Sequence, residues 1–307
     1  MIHYPDRVII EEQGLRDGIQ NEKRIIPTDR KLELIDALID AGVTRIQVTS
    51  FVHPKAVPQM ADAEDVCAGL RKMDGIVYSG LALNARGIER AAKAGLEVLA
   101  VSISASDAHS RRNANKSLDD ARKGYAEMIR IAKDYGLKIR GGVQCAFGCR
   151  FQGAVEPEVV LEIVQEQLDL GIDDVALADS TGMANPAAIQ SLCAATVNLA
   201  GTRTVWLHLH DTEGKGLANA LAALQVGINH FDTAFGGMGG CPFIKGATGN
   251  IATEDFAVML HQMGIKTGLN VQRLARISRS LEDFFGKPSE GKMHRLLARE
   301  DIKMVLG

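Results

Sequence analysis

The stretch DLGIDDVAL, residues 169–177, joins two sequence patterns at a single glycine. A run of helical period ends at Gly171, and a short apolar run that is typical of a buried strand follows directly. The same junction recurs in DAGVTRIQV (residues 40–48), KAGLEVLAV (93–101), DYGLKIRGG (134–142) and QVGINHFDT (225–233). This recurrence predicts helices that alternate with strands, as in a parallel sheet covered by helices.

Eight strands are predicted along the chain at helix-sized intervals. They cover residues 8–12, 45–49, 76–83, 98–104, 138–145, 174–178, 204–208 and 230–234. Eight such units predict an α/β fold, the closed (β/α)8 or TIM barrel. A doubly wound open sheet is the competing fold. It is not favoured, because the sequence has no Gly-x-Gly-x-x-Gly after the first strand and no phosphate-binding loop ending in Gly-Lys-Ser/Thr.

Helical periodicity fills the intervals between the predicted strands. It covers residues 29–41, 85–94, 118–135, 157–170, 185–199, 214–226 and 253–263. A further helix at residues 271–285 has no strand after it. We therefore predict one catalytic domain over residues 1–307, with the barrel at about 5–265 and a short helical appendage at about 266–307.

The composition is that of a folded protein without a strong charge bias. Of 307 residues, 46% are hydrophobic and 24% are charged, which excludes a disordered chain. The net charge of −3 provides no basic field, so we expect neither a nucleic-acid partner nor a membrane partner. Five cysteines form an odd set without zinc-finger spacing, and the N-terminus lacks a signal-peptide pattern. We therefore predict a cytoplasmic protein with free thiols.

Polar residues at strand ends are the candidates for function, since barrel enzymes build their sites where the strands end. The first predicted strand runs into EEQGLRDGIQNEK, residues 11–23, which contains the charged pair Arg16 and Asp17. A surface ion pair is the alternative interpretation of these two residues. The seventh strand runs into VWLHLHDTEG, where His208 and His210 are two residues apart and share one face of an extended chain. Two imidazoles on one face can bind one metal ion.

The loop after the eighth strand is rich in glycine. Its sequence, FGGMGGCPFIKGATGN at residues 235–250, contains Cys241 and Asn250. Because the seventh, eighth and first strands are neighbours in a closed barrel, one cation can be surrounded by Asp17, His208, His210 and Asn250. Two nitrogen and two oxygen donors suit Mg2+ or Mn2+, with zinc as a possible substitute. Cys241 would then lie near the metal as an ionisable group.

Four segments resemble those of the 3-hydroxy-3-methylglutaryl-CoA lyases, in the same order along the chain. They are RDGIQNEK (residues 16–23), TSFVHPKAVPQMAD (49–62), HLHDTEG (208–214) and GGMGGCPFIKGATGN (236–250). The resemblance runs from about residue 5 to residue 285 and is specific to the lyase branch of the metal-dependent barrel lyases and Claisen-type synthases. It implies an acyl-CoA substrate and a retro-Claisen cleavage that releases acetyl-CoA, with acetoacetate as the other product from 3-hydroxy-3-methylglutaryl-CoA.

The resemblance also implies roles for individual residues. Asp17, His208, His210 and Asn250 would hold the divalent cation. Cys241 would act as the general acid/base thiol, and Arg16 would stabilise the enolate of acetyl-CoA. The substrate pocket would include Gln20, Ser50 and Asp179. A homodimer is expected from the resemblance alone.

Two departures from the family pattern concern the substrate end of the barrel. Where the lyases carry glutamate at the end of the second strand, this chain has Gln47, and His109 stands on a predicted loop where an apolar residue is usual. Lyase action on a related thioester such as citramalyl-CoA, or a Claisen-type synthase, is therefore the alternative function. A barrel that only binds metal or acyl-CoA is a third hypothesis, and the intact set of Arg16, Asp17, His208, His210 and Cys241 argues against it.

Overall fold

Eight parallel strands close into one barrel in this computed structural model, which describes residues 3–240 and 249–297. The strands are β1 (Ile9–Glu12), β2 (Arg45–Ser50), β3 (Val77–Ala82), β4 (Val98–Ser104), β5 (Lys138–Gln144), β6 (Asp174–Asp179), β7 (Val205–Leu209) and β8 (His230–Thr233). The barrel closes where β1 pairs with β8, with Ile9 opposite His230. The predicted TIM barrel is confirmed, with strand bounds within two residues of the expected ones.

Helices cover the outside of the barrel and connect its strands. In chain order they are α1 (Thr28–Asp40), α2 (Ala63–Ala68), α3 (Ala85–Lys93), α4 (Asp107–Ala114), α5 (Leu118–Asp134), α6 (Pro157–Asp169), α7 (Pro186–Ala200), α8 (Gly216–Leu224), α9 (Thr253–Gln262), α10 (Val271–Phe285) and α11 (Met293–Leu297). The glycine that ends α6, Gly171, has a φ of 75°, a conformation in which a side chain is strained. The glycine junctions of the sequence are therefore helix ends.

One short helix, α4, occupies a segment in which no helix is predicted from the sequence. Helix α4 begins at Ser106, whose Oγ accepts a hydrogen bond from the backbone N–H of His109 at 3.2 Å, and ends at Asn115 in the left-handed conformation. Its sequence, DAHSRRNA, has almost no apolar periodicity, so the N-cap serine is its main local signal. His109 therefore lies on a helix and not on the predicted loop.

Outward-facing residues of the strands pack against the helices in an apolar layer. Phe231 of β8, for example, meets Phe256 of α9 with ring centroids 4.9 Å apart. Because side chains alternate along a strand, the neighbours of these residues point into the barrel. There the side chains are charged in several strands, which departs from the usual apolar filling of such barrels.

The charged side chains inside the barrel form an interior ion cluster of Glu11, Arg45, Arg140 and Asp232. Arg140 of β5 donates to Glu11 of β1 at 2.7 Å and to Asp232 of β8 at 3.1 Å. Arg45 of β2 reaches the second oxygen of Glu11 at 3.3 Å. Both guanidinium groups lie over the ring of Trp206, at 4.9 and 4.8 Å from its centroid. The cluster thus ties β1, β2, β5, β7 and β8 together through their inner faces.

Two predictions about the environment of the chain can be compared with the fold. No described helix combines the length and the apolar character needed to cross a membrane. Four of the five cysteines lie in the described residues, and each is a buried free thiol: Cys67, Cys145, Cys149 and Cys193. Cys67 and Cys193 lie on helices, whereas Cys145 and Cys149 follow the end of β5.

Candidate metal centre and active site

Asp17, His208 and His210 meet at the carboxyl end of the barrel. Their ligand atoms all lie within 4.8 Å of one another, and all three residues are buried. The two imidazole Nε2 atoms are 3.1 Å apart, and Oδ2 of Asp17 is 3.5 Å from Nε2 of His210 and 3.9 Å from Nε2 of His208. These three residues, together with Asn250, are called the metal centre below.

Asp17 is carried on a single turn of π-helix, Gly14–Gly18, directly after β1. The last residue of β1, Glu12, orients this turn because its Oε1 accepts the backbone N–H of Gly14 at 2.7 Å and that of Phe235 at 2.9 Å. One carboxyl group therefore joins the loop after β1 to the loop after β8. Burial raises the pKa of Glu12 to about 8, so this group is largely protonated at neutral pH.

Asn250 reaches the metal centre from the far side of the glycine-rich loop. It forms an antiparallel bridge with His210, and its Nδ2 donates to Asp17 Oδ2 at 2.8 Å and to the carbonyl of Met238 at 3.1 Å. A side chain on Gly239 would place its Cβ 2.7 Å from that Nδ2, so this close approach requires glycine. Oδ1 of Asn250 is buried without a hydrogen-bond partner.

The orientation of His208 is set by the interior ion cluster. Oδ2 of Asp232 lies 3.2 Å from Nδ1 of His208, while Oδ1 of the same carboxylate accepts from Arg140. Burial alone would raise the pKa of Asp232, but Arg140 and His208 outweigh it and lower that pKa below its ordinary value. An ionised carboxylate holds the proton of the imidazole on Nδ1, which leaves the lone pair of Nε2 free for a metal.

The polar groups of the metal centre fit a divalent cation. Two imidazole nitrogens that face each other at 3.1 Å can share at most one hydrogen, and Asn250 has a buried carbonyl oxygen that accepts no hydrogen bond from the described residues. Burial would raise the pKa of Asp17, yet Arg16 and the two imidazoles lower it well below its ordinary value, so this side chain is an anion. Imidazole nitrogens together with carboxylate and amide oxygens are donor types that divalent cations accept.

A cavity of about 550 Å³ opens beside the metal centre and is large enough for an acyl group with part of its carrier. Its wall includes the predicted substrate residues Arg16, Gln20 and Ser50. Gln20 donates to Asp17 Oδ1 at 2.9 Å, and Ser50 is 1% exposed at the end of β2. Residues of α4, among them His109, also line the cavity.

Arg16 is held in place by three acceptors. Its Nε donates to Oε1 of Gln47, its Nη1 to Oδ1 of Asp17, and its Nη2 to Oε1 of Gln13 at 2.9 Å. The side chains of Arg16 and Asp17 are only 11% and 8% exposed, so this pair is not a surface ion pair. Two of the three acceptors are neutral amides and only Asp17 is an anion. The guanidinium can therefore still attract a second anion in the cavity.

Two predicted site residues need separate comment. Asp179 ends β6, where its two carboxylate oxygens accept the backbone N–H groups of Met183 at 2.9 Å and Ala184 at 3.1 Å. Burial raises the pKa of Asp179, and this residue is not part of the cavity wall. Cys241 lies outside the described residues, and the residue before it, Gly240, lines the cavity.

The sequence interpretation missed the residues behind the metal centre. These are Glu12 and the interior ion cluster, all of which act through other side chains. A local signal exists for the cluster, because Arg45, Arg140 and Asp232 are charged residues within the strands β2, β5 and β8. The partners of these charges belong to strands far away in the sequence, so no local pattern identifies the pairs.

A protein-family model described as HMGL-like matches residues 7–281 of the chain. Among curated proteins, the mitochondrial hydroxymethylglutaryl-CoA lyase of Mus musculus is 42% identical over 270 residues, which cover 88% of this chain and 83% of that enzyme. The hydroxymethylglutaryl-CoA lyase of Bacillus subtilis (strain 168) is 39% identical over 285 residues, which cover 93% of this chain and 95% of that enzyme.

Solved structures of hydroxymethylglutaryl-CoA lyases also match the fold of this chain. The crystal structure of a Bacillus subtilis HMG-CoA lyase superposes with a TM-score of 0.92 and 38% identity, covering 96% of this chain and 99% of that one. An HMG-CoA lyase from Acinetobacter baumannii, solved in complex with coenzyme A and 3-methylmalate, superposes with a TM-score of 0.93 and 36% identity, covering 99% and 100% of the two chains. Both matches extend over the whole barrel, including its carboxyl end.

Proposed function

The chain belongs to the HMGL-like family, and we propose that it is a divalent-metal-dependent carbon–carbon lyase that cleaves 3-hydroxy-3-methylglutaryl-CoA to acetyl-CoA and acetoacetate. One observation carries this proposal: the anionic and imidazole ligands Asp17, His208 and His210 meet at the wall of the same cavity that Arg16 lines. The relatives in mouse and Bacillus subtilis bear the name of that activity, and the relative from Acinetobacter baumannii binds coenzyme A.

The proposed reaction breaks the bond between C2 and C3 of the acyl chain. The hydroxyl proton leaves the oxygen on C3, which becomes the carbonyl oxygen of acetoacetate. The electron pair of the broken bond passes to C2 and the thioester as an enolate, and C2 then takes up a proton to give acetyl-CoA. No oxidant or reductant is needed, because the two fragments together contain the atoms of the substrate.

The metal centre would hold the cation through Asp17, His208, His210 and Asn250. When bound there, Mg2+ or Mn2+ lowers the pKa of a coordinated hydroxyl group and orients the substrate. The orphaned Oδ1 of Asn250 and the inward-facing Nε2 atoms of the two histidines support this assignment.

Arg16 would bind the thioester oxygen on which the enolate charge develops. Its guanidinium is fixed by three hydrogen bonds before any ligand arrives, so little reorganisation is needed when the charge forms. A lysine in its place would have a mobile ammonium group and could not keep the same three acceptors.

Cys241 would exchange the protons at the C3 hydroxyl and C2, as a thiol near a cation is able to do. Gln20 and Ser50 would position the acyl group from the cavity wall. Asp179 would act from a greater distance, by holding the loop after β6 through its two backbone contacts.

The test uses purified protein stripped of metal and incubated with 3-hydroxy-3-methylglutaryl-CoA, with and without Mg2+ or Mn2+. We expect acetyl-CoA and acetoacetate, followed by mass, only when a metal is added. The variant Cys241→Ala should lose the activity, whereas Cys193→Ala, which changes a buried thiol of α7, should keep it. A thioester that stays intact with either metal would contradict the proposed function.

A homodimer and a cytoplasmic location complete the proposal. Relatives of this chain are named as mitochondrial and as cytoplasmic enzymes, so the compartment needs its own measurement. Sedimentation velocity of the purified protein tests the dimer, and fractionation of cells that express the protein tests the location.

A further inference from the structure

Gln47 carries a hydrogen-bond donor that the described chain leaves without an acceptor. This residue of β2 is 1% exposed and lines the cavity. Its Oε1 accepts from Nε of Arg16, and because a guanidinium N–H can only donate, this contact decides which end of the amide faces Arg16. The other end, Nε2, is buried and has no partner.

The position of Gln47 distinguishes it from the other unpaired groups on the cavity wall. Apart from His210 of the metal centre, two described residues line the cavity and carry a buried polar side-chain atom without a partner: Gln47, through Nε2, and His109, through Nδ1. His109 belongs to α4. Gln47 contacts Arg16, which contacts Asp17, so the unpaired N–H belongs to a side chain that is hydrogen-bonded, through Arg16, to a residue of the metal centre.

The resemblance to the lyases implies a glutamate at this position, where the chain carries Gln47 instead. A glutamate on β2 would present an anion next to Arg16, whereas Gln47 presents a neutral donor. A carboxylate on the substrate would restore that negative charge from the ligand side and would accept the hydrogen bond that Nε2 lacks. A methyl group at the same place would leave the donor buried and unpaired, which is unfavourable.

We propose that Gln47 is a specificity-determining residue whose side-chain amide donates to a carboxylate on C3 of the acyl thioester. The substrate class is the 3-hydroxyacyl thioesters in which a carboxylate replaces the methyl group of 3-hydroxy-3-methylglutaryl-CoA, and the inference rests on the lyase function proposed above. In 3-carboxy-3-hydroxyglutaryl-CoA the same bond between C2 and C3 breaks. C2 receives the electron pair and a proton, the C3 hydroxyl loses its proton, and the products are acetyl-CoA and a 2-oxo dicarboxylic acid.

The experiment compares kcat/KM for the two thioesters, which differ only in methyl against carboxylate at C3, on the Mg2+-loaded enzyme. We expect the wild-type enzyme to cleave the carboxy thioester at least as efficiently as 3-hydroxy-3-methylglutaryl-CoA. Gln47→Glu places a negative charge opposite the carboxylate of the substrate. It should lower kcat/KM for the carboxy thioester, relative to kcat/KM for the methyl thioester, by about 10–100-fold. Gln47→Met removes the donor and also the acceptor of Arg16. The loss at Arg16 should lower kcat/KM for both thioesters, whereas the loss of the donor should lower the ratio of the carboxy to the methyl thioester by about tenfold.

The matched control is Gln190→Glu, the same substitution at an exposed position of α7, where the glutamine contacts only Gln225 among the contacts described. It should leave the ratio unchanged. Wild-type cleavage of the methyl thioester without cleavage of the carboxy thioester would overturn this inference and leave the proposed function standing, as would a ratio that Gln47→Glu does not change. Cleavage of neither thioester would overturn both.

Discussion

The barrel holds two buried polar clusters that differ in how completely they are paired. In the interior ion cluster every charged group meets an opposite charge: Arg140 lies between Glu11 and Asp232, and Arg45 contacts the same Glu11. In the metal centre two imidazole nitrogens face each other at 3.1 Å. Buried polar groups are normally satisfied, so complete pairing indicates a structural role and incomplete pairing indicates a site that awaits a ligand.

The two clusters meet at one carboxylate. Asp232 accepts from Arg140 with one oxygen and contacts His208 with the other. The paired cluster therefore fixes the geometry of the unpaired one, in the way that outer carboxylates orient histidine ligands in metal sites.

The largest effect is expected from His210→Ala in the metal centre. The substitution removes one ligand and one of the facing nitrogens, so the affinity for Mn2+ should fall by more than about 100-fold and the lyase activity with it. The folded protein should remain, since Nδ1 of His210 has no partner that would be lost. Calorimetric Mn2+ titration together with thermal unfolding measures both effects. Unchanged Mn2+ affinity would contradict the assignment of the metal centre.

The next largest effect is expected in the interior ion cluster, where Arg140→Met should lower the stability of the fold. Arg140→Met leaves the buried carboxylates of Glu11 and Asp232 without their shared partner, which should lower the free energy of unfolding by about 3–5 kcal/mol. Urea unfolding followed by the fluorescence of the single tryptophan, Trp206, reports on the same cluster. The control Arg130→Met breaks an exposed pair on α5 and should cost less than about 1 kcal/mol. Equal losses in both variants would contradict the structural role.

A smaller and more selective effect is expected from Asp232→Asn. The amide keeps the size of the side chain but loses the charge that holds the proton on Nδ1 of His208, so Mn2+ affinity should fall by about 10–100-fold. Stability should change less than in Arg140→Met, because Glu11 remains to pair with Arg140. If Mn2+ affinity stayed at the wild-type level, the two clusters would act independently.

The smallest effect concerns Glu12 and the dependence of stability on pH. Because burial raises the pKa of Glu12 from 4.5 to about 8, the folded protein binds a proton that the unfolded chain releases between these values. This group therefore makes stability fall as the pH rises from 4.5 to about 8. A glutamine keeps the hydrogen bonds, since Oε1 accepts from Gly14 and Phe235 and Nε2 can donate to Thr253.

Glu12→Gln should consequently flatten the Tm profile across that pH window, by a change on the order of a few °C. The neighbouring Glu254 also has a raised pKa caused by burial and is present in both proteins, so the difference between the two profiles reports on Glu12 and on its charge interaction with Glu254. Parallel profiles for wild type and variant would show that Glu12 is ionised in the folded protein. The hydrogen bonds from Gly14, Phe235 and Thr253 would then lower the pKa of Glu12 by more than burial raises it.

The architecture and the ends of the strands could be predicted from local sequence patterns. Helix and strand periods are local properties, and the glycine junctions mark where one gives way to the other, so eight units and a closed barrel followed from counting. The sequence also predicted that His208 and His210 share one face of β7. It further predicted that both lie close to Asp17, because closure of the barrel makes β7, β8 and β1 adjacent. Helix α4 escaped prediction, since its polar sequence has no apolar period.

The tertiary structure alone decided which groups are paired and which are not. Arg140 contacts Asp232 and Glu11, which lie 92 and 129 positions away in the sequence. The helix and strand periodicities are local patterns and do not predict contacts between residues so far apart. The unpaired Nε2 of Gln47 has the same origin, because only the approach of Arg16 turns that amide and leaves its donor without a partner. Local propensity selects elements, whereas hydrogen-bond satisfaction depends on all the strands that meet inside the barrel.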